Sequence, residues 1–180
     1  MSLTQDRLKK LLRYSPVVGV FEKLIGGDRK SRPRRWVLAG GVRRDTGYIM
    51  ISVDGKSYAA HRLAWLYMYG VLPQEEIDHI DGDRSNNAIN NLRLATRCEN
   101  MWNTACHKRN RSGIKGVSWD KARRMWVGRI KAEGKVAFNA YFKTLEEAEA
   151  AMTEARARIH EEFANNGIHG YVAEELLDAG

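Results

Sequence analysis

Cysteine is scarce in this chain. Cys98 and Cys106 are the only two among 180 residues. Two thiols cannot build the disulfide framework of a small secreted domain or a four-cysteine zinc site. No leader-type segment opens the sequence, so a reducing, cytoplasmic setting is the expectation. Long apolar runs are missing too: none approaches the roughly 18–20 residues needed to span a bilayer, which predicts a soluble protein. Internal repeats and low-complexity tracts are also absent. What the chain does have is 43% hydrophobic residues, enough for a packed core, together with a net charge of +8 and a pI near 9.6. That balance calls for an anionic partner, with nucleic acid first.

The charge is segregated. Residues 1–60 carry a net +8, residues 61–107 a net −2, residues 108–144 a net +9 and residues 145–180 a net −7. A solvated surface mixes its signs more evenly. Two phosphate-facing surfaces separated by an acidic island fit this distribution better.

Elements follow from periodicity and punctuation. "TQDRLKKLLRYSP" predicts a short helix with Thr4 as N-cap, Leu8, Leu11 and Leu12 as its apolar stripe and Pro16 as its stop. "GGDRKSRPRR" (Gly26 to Arg35) reads as a basic loop. Around Tyr48 to Tyr58 the pattern is a hairpin turning at Asp54-Gly55. From about Ala60 to Tyr69 the spacing turns helical and Gly70 supplies the stop. "HKRNRSGIKG" reads as a basic, flexible linker. Three strands follow, "GVSWD", "MWVGRIKA" and "KVAFNAYF". Then comes a long helix opened by a Thr144/Glu147 capping box and closed before Gly167. "YVAEELLDAG" suggests one further short helix.

The stretch Glu75 to Asn103, "EEIDHIDGDRSNNAINNLRLATRCENMWN", sets Asp78, His79, Asp81 and Asp83 within six residues and follows them with asparagines. Hard divalent cations take oxygen ligands, so Asp78 and a downstream Asn carbonyl are candidate donors. His79 is suited to take a proton from water near neutral pH. A bent loop at Gly82 would bring both to one phosphate. The asparagines can satisfy their own loop backbone. A plain polar loop with a surface histidine yields much of the same string, and spacing alone leaves both readings open.

"IDHIDGDRSNNAINNLRLATRCENMWN", with "AHRLAWLYMYG" before it, closely resembles the HNH endonucleases of phage and group I intron type over about Gly47 to Asn103. The resemblance implies a ββα-metal fold gripping one divalent metal, most simply Mg²⁺ with Mn²⁺ as the alternative. It gives Asp78 the first ligand place and His79 that of general base. Asn91 becomes the middle Asn that braces the loop and orients the base, Asn100 the second ligand, and Asn103 an auxiliary or alternative one. Asp83 stands where that family often has Asn. The implied reaction is hydrolysis of a DNA phosphodiester to 5′-phosphate and 3′-hydroxyl ends, with nicking as its simplest form.

From Gly113 to about Asn165, "KGVSWDKARRMWVGRI…AFNAYFKTLEEAEAAMTEA" resembles the plant ethylene-response-factor (APETALA-two) DNA-binding domain, in which the sheet enters the major groove. Trp119, Lys121, Arg123, Arg124, Arg129 and Lys131 are then the candidate DNA contacts. That family's Arg-rich first strand is replaced here by "VSWD", so no target sequence transfers.

The expectation is an α+β protein, with a ββα-metal nuclease module at residues 1–107 and a basic linker at 108–115. A small three-stranded antiparallel sheet plus one helix follows at 116–167, then an acidic tail at 168–180. The expected activity is a metal-dependent, site-directed homing endonuclease or nickase acting on double-stranded DNA. Monomer is the expected state with dimer as the alternative, and the setting is a bacterial host cell if the chain is phage-encoded. The rival readings are a DNA-binding regulator with an inert nuclease module, and a non-specific or structure-selective nuclease.

Overall fold

A computed structural model of the chain describes residues 3–27, 33–107, 109–132 and 134–165. Residues 28–32 of the basic Gly26–Arg35 loop, Gly167 and the terminal "YVAEELLDAG" segment lie outside the described residues. The fold is mixed, with helices and small antiparallel sheets. It divides into two compact units: Met1–His79 with Asp83–Leu94, and Ile80–Gly82 with Ala95–Gly180.

In the first unit, helix α1 (Gln5–Leu11) starts where Thr4 accepts the Arg7 amide. It ends one residue before its expected apolar stripe does, because Leu12 opens strand β1 (Leu12–Ser15) instead. Tertiary burial explains the difference: Leu8 is fully buried from the helix, while Leu12 and Tyr14 are buried from alternate positions of the strand. β1, β2 (Val20–Ile25) and β3 (Arg35–Leu38) form one antiparallel sheet. β4 (Gly41–Val42), β5 (Ile49–Val53) and β6 (Lys56–Ala59) form another. Asp54 and Gly55 both take positive φ in the β5–β6 turn, the geometry that their dipeptide favours.

Helix α2 (Ala60–Tyr69) closes on Gly70 in the left-handed conformation. Its face of Ala60, Leu63, Ala64 and Leu66 packs into one cluster with Leu8, Leu12, Phe21, Ile51, Val53, Ile77 and Leu92. Each large apolar side chain so buried contributes about 1.5–3 kcal/mol. Strands β7 (Glu76–His79) and β8 (Leu92–Ala95) pair as a two-stranded sheet. The loop between them is clamped from behind: Ile89 N–H donates to the Pro16 carbonyl and the Tyr14 hydroxyl to that of Asn87. Gly19 permits this approach, since a Cβ there would lie 2.1 Å from the Ala88 nitrogen.

In the second unit, α3 (Arg97–Trp102) opens on a Thr96/Glu99 capping box. Strands β9 (Val117–Asp120), β10 (Met125–Ala132) and β11 (Lys135–Phe142) follow as an antiparallel sheet with β10 in the centre. Helix α4 (Leu145–His160), with the expected Thr144/Glu147 capping box, covers one face of this sheet. Ala148, Met152 and Ala155 meet Val117 and Ile130 in the core, with Trp126 packed against them. The segment expected to be a flexible linker is turned back on itself. Asn110 donates to the Ile114 carbonyl, Ser112 to that of Val117, and Ile114 is buried. Composition suggested mobility there, but local side-chain hydrogen bonds and one apolar anchor order it.

Candidate active site

β7 delivers the opening pair of the site. Asp78 and His79 are both buried at 4% exposure, which a plain surface loop would not impose. Neighbouring β8 supplies Arg93, whose Nε and Nη2 both reach Asp78 Oδ2 at 2.9 Å. With both side chains largely removed from water, this is an ion pair whose disruption is costly.

Tyr48, His61 and Asn87 are among the side chains against the His79 ring. Tyr48 lies 5.9 Å away and His61, from the first turn of α2, meets it edge-on at 5.1 Å. Asn87 Oδ1 lies 3.4 Å from His79 Nε2. The Asn87 carboxamide is oriented by its own bonds, Nδ2 donating to the Ser85 carbonyl at 2.9 Å, and the residue is fully buried. The Tyr14 hydroxyl that holds its backbone oxygen is pushed up to about 12 by burial and stays a donor. In the tautomer that carries its proton on Nε2, the ring would donate to this oxygen and Nδ1 would be its basic nitrogen. Burial, with His79 and Arg62 adding to it, pushes His61 down to about 3, so this second imidazole stays uncharged beside the first.

The asparagine-rich loop satisfies itself. Asp83 Oδ1 accepts from the Ser85 amide and hydroxyl, and Asn91 Nδ2 donates to the Asn86 carbonyl at 2.9 Å. In these two bonds Asp83 serves as a side-chain oxygen acceptor, a role an Asn oxygen fills equally. Asn91, expected to brace the loop, sits at the end of a 3₁₀ turn (Ile89–Asn91) and bonds the loop backbone. The contact to Nε2 comes from Asn87. Sequence reading passed over Asn87 and Arg93, although both stand inside the quoted motif, because a run of similar asparagines does not say which one turns inward.

In the second unit Asn100 is half-buried on α3, and Asn103 caps that helix at 6% exposure. Asn103 Oδ1 accepts from Asn165 Nδ2 at 3.0 Å, while its own Nδ2 donates to the Ile80 carbonyl. Among the described residues, no group of three or more His, Cys, Asp or Glu side chains is arranged for a metal. The donors on offer are one buried carboxylate and carboxamide oxygens, a hard-oxygen set that suits a divalent cation retaining water and phosphate ligands.

The candidate DNA contacts divide between faces. Arg129 and Lys131 are exposed on β10, alternating with buried Gly128 and Ile130. Lys121, Arg123 and Arg124 occupy the β9–β10 turn, where Asp120 accepts from the amides of Ala122 and Arg123. Trp119 lies on the other face, 5.1 Å from Trp126 and cross-strand from it. It is 46% exposed.

Residues 58–102 match the HNH endonuclease family, so this site lies in a nuclease-type hydrolase domain for which DNA is the implied substrate. Protein 3.8 of Escherichia phage T7 is 43% identical over 110 residues, covering 61% of this chain and 90% of that protein. The chain belongs to the family of that phage protein and carries an HNH endonuclease domain. No solved structure matches it. No described helix is long and apolar enough to cross a membrane.

Proposed function

We propose that the chain is a metal-dependent DNA endonuclease of ββα-metal type that hydrolyses phosphodiesters to 5′-phosphate and 3′-hydroxyl ends. The observation that carries this reading is the buried Asp78–His79 pair with Asn87 set against Nε2. His79 takes a proton from the attacking water at Nδ1. The imidazolium that forms keeps its Nε2–H on the Asn87 oxygen, which steadies both ring orientation and charge. The resemblance gives the divalent ion, Mg²⁺ or Mn²⁺, to Asp78 together with Asn100 or Asn103, all oxygen donors of the kind such an ion takes. A cation bound there supplies charge stabilisation for the pentavalent phosphorus and the departing oxygen. Arg93 holds Asp78 in place, and Asn91 keeps the loop shaped around Asn87.

The second unit reads duplex DNA through the uncovered face of its sheet, with Arg129 and Lys131 on the strand and Lys121, Arg123 and Arg124 on the turn. Trp119 lies on the helix-covered side of the sheet, away from that surface. The resemblance to homing enzymes and the separate reader support site-directed nicking. Incubation of the purified chain with supercoiled plasmid, in Mg²⁺ and in EDTA, followed by end-mapping, tests the proposal. Nicked circles with ligatable ends in Mg²⁺ alone support it, and intact supercoils in both overturn it.

A further inference from the structure

Beside the candidate active site stands a guanidinium fixed by neutral partners. Arg84 follows Asp83 in the asparagine-rich loop and is exposed. Its Nη1 donates to the Thr46 carbonyl at 2.9 Å, and its guanidinium carbon lies over the Tyr48 ring, 5.0 Å from the centre. The stem runs along Gly47, where a Cβ would lie 3.9 Å from both Arg84 Cβ and Cδ. Among the described residues no ion pair includes Arg84.

The loop that receives this side chain is tightly closed. Arg43 N–H donates to the Tyr48 carbonyl at 2.8 Å, and the Thr46 and Gly47 amides both donate to the Arg43 carbonyl. Gly47 takes a φ of +78°, the left-handed region that glycine enters freely. The one acid of the loop, Asp45, is engaged by Arg43, whose Nε and Nη2 reach its carboxylate at 2.8 and 3.0 Å. Those bonds hold the Asp45 carboxyl below its usual range. Asp83, the chain neighbour of Arg84, turns Oδ1 to the Ser85 amide and hydroxyl. Even with Asp83 counted, Arg43, Arg44, Asp45 and Arg84 leave this corner positive.

Its position gives the cation a use. The Tyr48 ring meets the His61 ring at 5.0 Å and the His79 ring at 5.9 Å. Arg84 therefore stands one aromatic ring away from the proposed general base. Along a nucleic-acid strand that is a few nucleotide steps, at a rise of about 3.4 Å each. A guanidinium has several N–H donors, and the Thr46 carbonyl uses one of them. Stacking on an aromatic face engages the plane of the group and leaves its edge donors open. A neutral donor would pin the loop to Thr46 equally well. A permanent charge, held with most of its N–H groups to spare, suits an anion that accepts two parallel bonds.

We propose that Arg84, braced on Tyr48, receives one backbone phosphate of the strand being cut, a few nucleotides from the bond under attack. The inference rests on the nuclease reading. It adds a fixed point for the substrate strand within the first unit, separate from the sheet face proposed to read duplex DNA. A phosphate held there sets which neighbouring phosphate reaches His79. Arg84 is thus a substrate-positioning residue.

The test begins by mapping the cut position with the wild-type chain in Mg²⁺. Duplexes carrying that position are then made with a single methylphosphonate, which removes one backbone charge, at each phosphate around it on either strand. Their affinities are measured in EDTA, so that DNA is bound and not cut, for the full chain as wild type, Arg84→Ala and Arg84→Lys. Wild type should lose about tenfold at one position on the cut strand other than the scissile one. Arg84→Ala should bind unmodified duplex about tenfold more weakly and be indifferent to that same modification. Arg84→Lys should keep part of the sensitivity, since it keeps the charge and loses the fork. A purely structural role would weaken every duplex alike and leave the shape of the profile unchanged. Profiles of the same shape for wild type and Arg84→Ala therefore overturn the inference. So does a difference only at the scissile phosphate or only on the uncut strand. Should Arg84→Ala fail to fold, Arg84→Gln, which keeps an N–H for the Thr46 carbonyl, takes its place with the same outcomes. A chain that nicks DNA and shows unchanged profiles keeps the nuclease reading and loses only this contact. A chain that nicks no DNA in Mg²⁺ loses both.

Discussion

The carboxamide oxygen of Asn87 lies 3.4 Å from Nε2 of His79, and each side chain is buried. The base of the proposed reaction is thus oriented by an asparagine eight residues downstream. Removing that acceptor frees the ring to rotate and to change tautomer. Asn87→Ala should lower the single-turnover nicking rate about 10–100-fold while leaving duplex affinity within about twofold. Asn87→Asp, which keeps an oxygen against Nε2, should recover part of the loss. Equal rates for wild type and both variants would remove Asn87 from the mechanism.

Asp78 and Arg93 form the buried ion pair behind the site. Truncating one partner strands the other charge away from water. Arg93→Ala should destabilise the chain by about 3–5 kcal/mol in urea unfolding. A change under about 1 kcal/mol would mean that the pair is solvated in solution.

Two histidines make stability depend on pH. The folded values of about 3 for His61 and about 4 for His160 lie below the ordinary 6.5, so the unfolded chain binds the extra protons. Their contribution is complete above about pH 6.5 and is lost as pH falls, levelling near pH 4 for His160 and near pH 3 for His61. Each contributes a slope of about 1.4 kcal/mol per pH unit inside its window. Unfolding at pH 7.5 and pH 5 should show about 2 kcal/mol lost per histidine, and His61→Gln should remove one share. A flat profile between these pH values would contradict the burial of both rings.

Arg129 and Lys131 stand on the uncovered face of β10. If both neutralise phosphates, the double Ala variant should reduce the salt dependence of duplex binding, on a log–log plot, by about 2. An unchanged slope would put DNA elsewhere. Trp119→Ala, on the other face, should leave that slope as it was.

Much of this could be read from the residues. The Asp54-Gly55 turn, the α2 stop at Gly70 and the Thr144/Glu147 box depend on nearest neighbours, and local chemistry decided them. The three strands β9 to β11 were visible in their β-branched and aromatic content. The N-terminal strands were not, because Leu12 and Tyr14 belong to a helical spacing locally and to a sheet only through Phe21 and the core beneath it. At the site, Asp78 and His79 stood out by residue type. Asn87 and Arg93 did not, since their roles come from the β7–β8 pairing and from Tyr14 and Pro16 holding the loop. The turns at 109–115 went unread because a basic composition conceals the one buried residue, Ile114, that fixes them.

The most direct test of the account is the single-turnover cleavage rate of a labelled duplex in Mg²⁺ for wild type, His79→Ala and Asp78→Ala, with melting temperatures measured alongside. The account predicts a fall of about 10²–10⁴-fold for His79→Ala in a folded protein, the usual worth of a positioned general base, and no detectable product for Asp78→Ala. Cleavage by folded His79→Ala at the wild-type rate would contradict it.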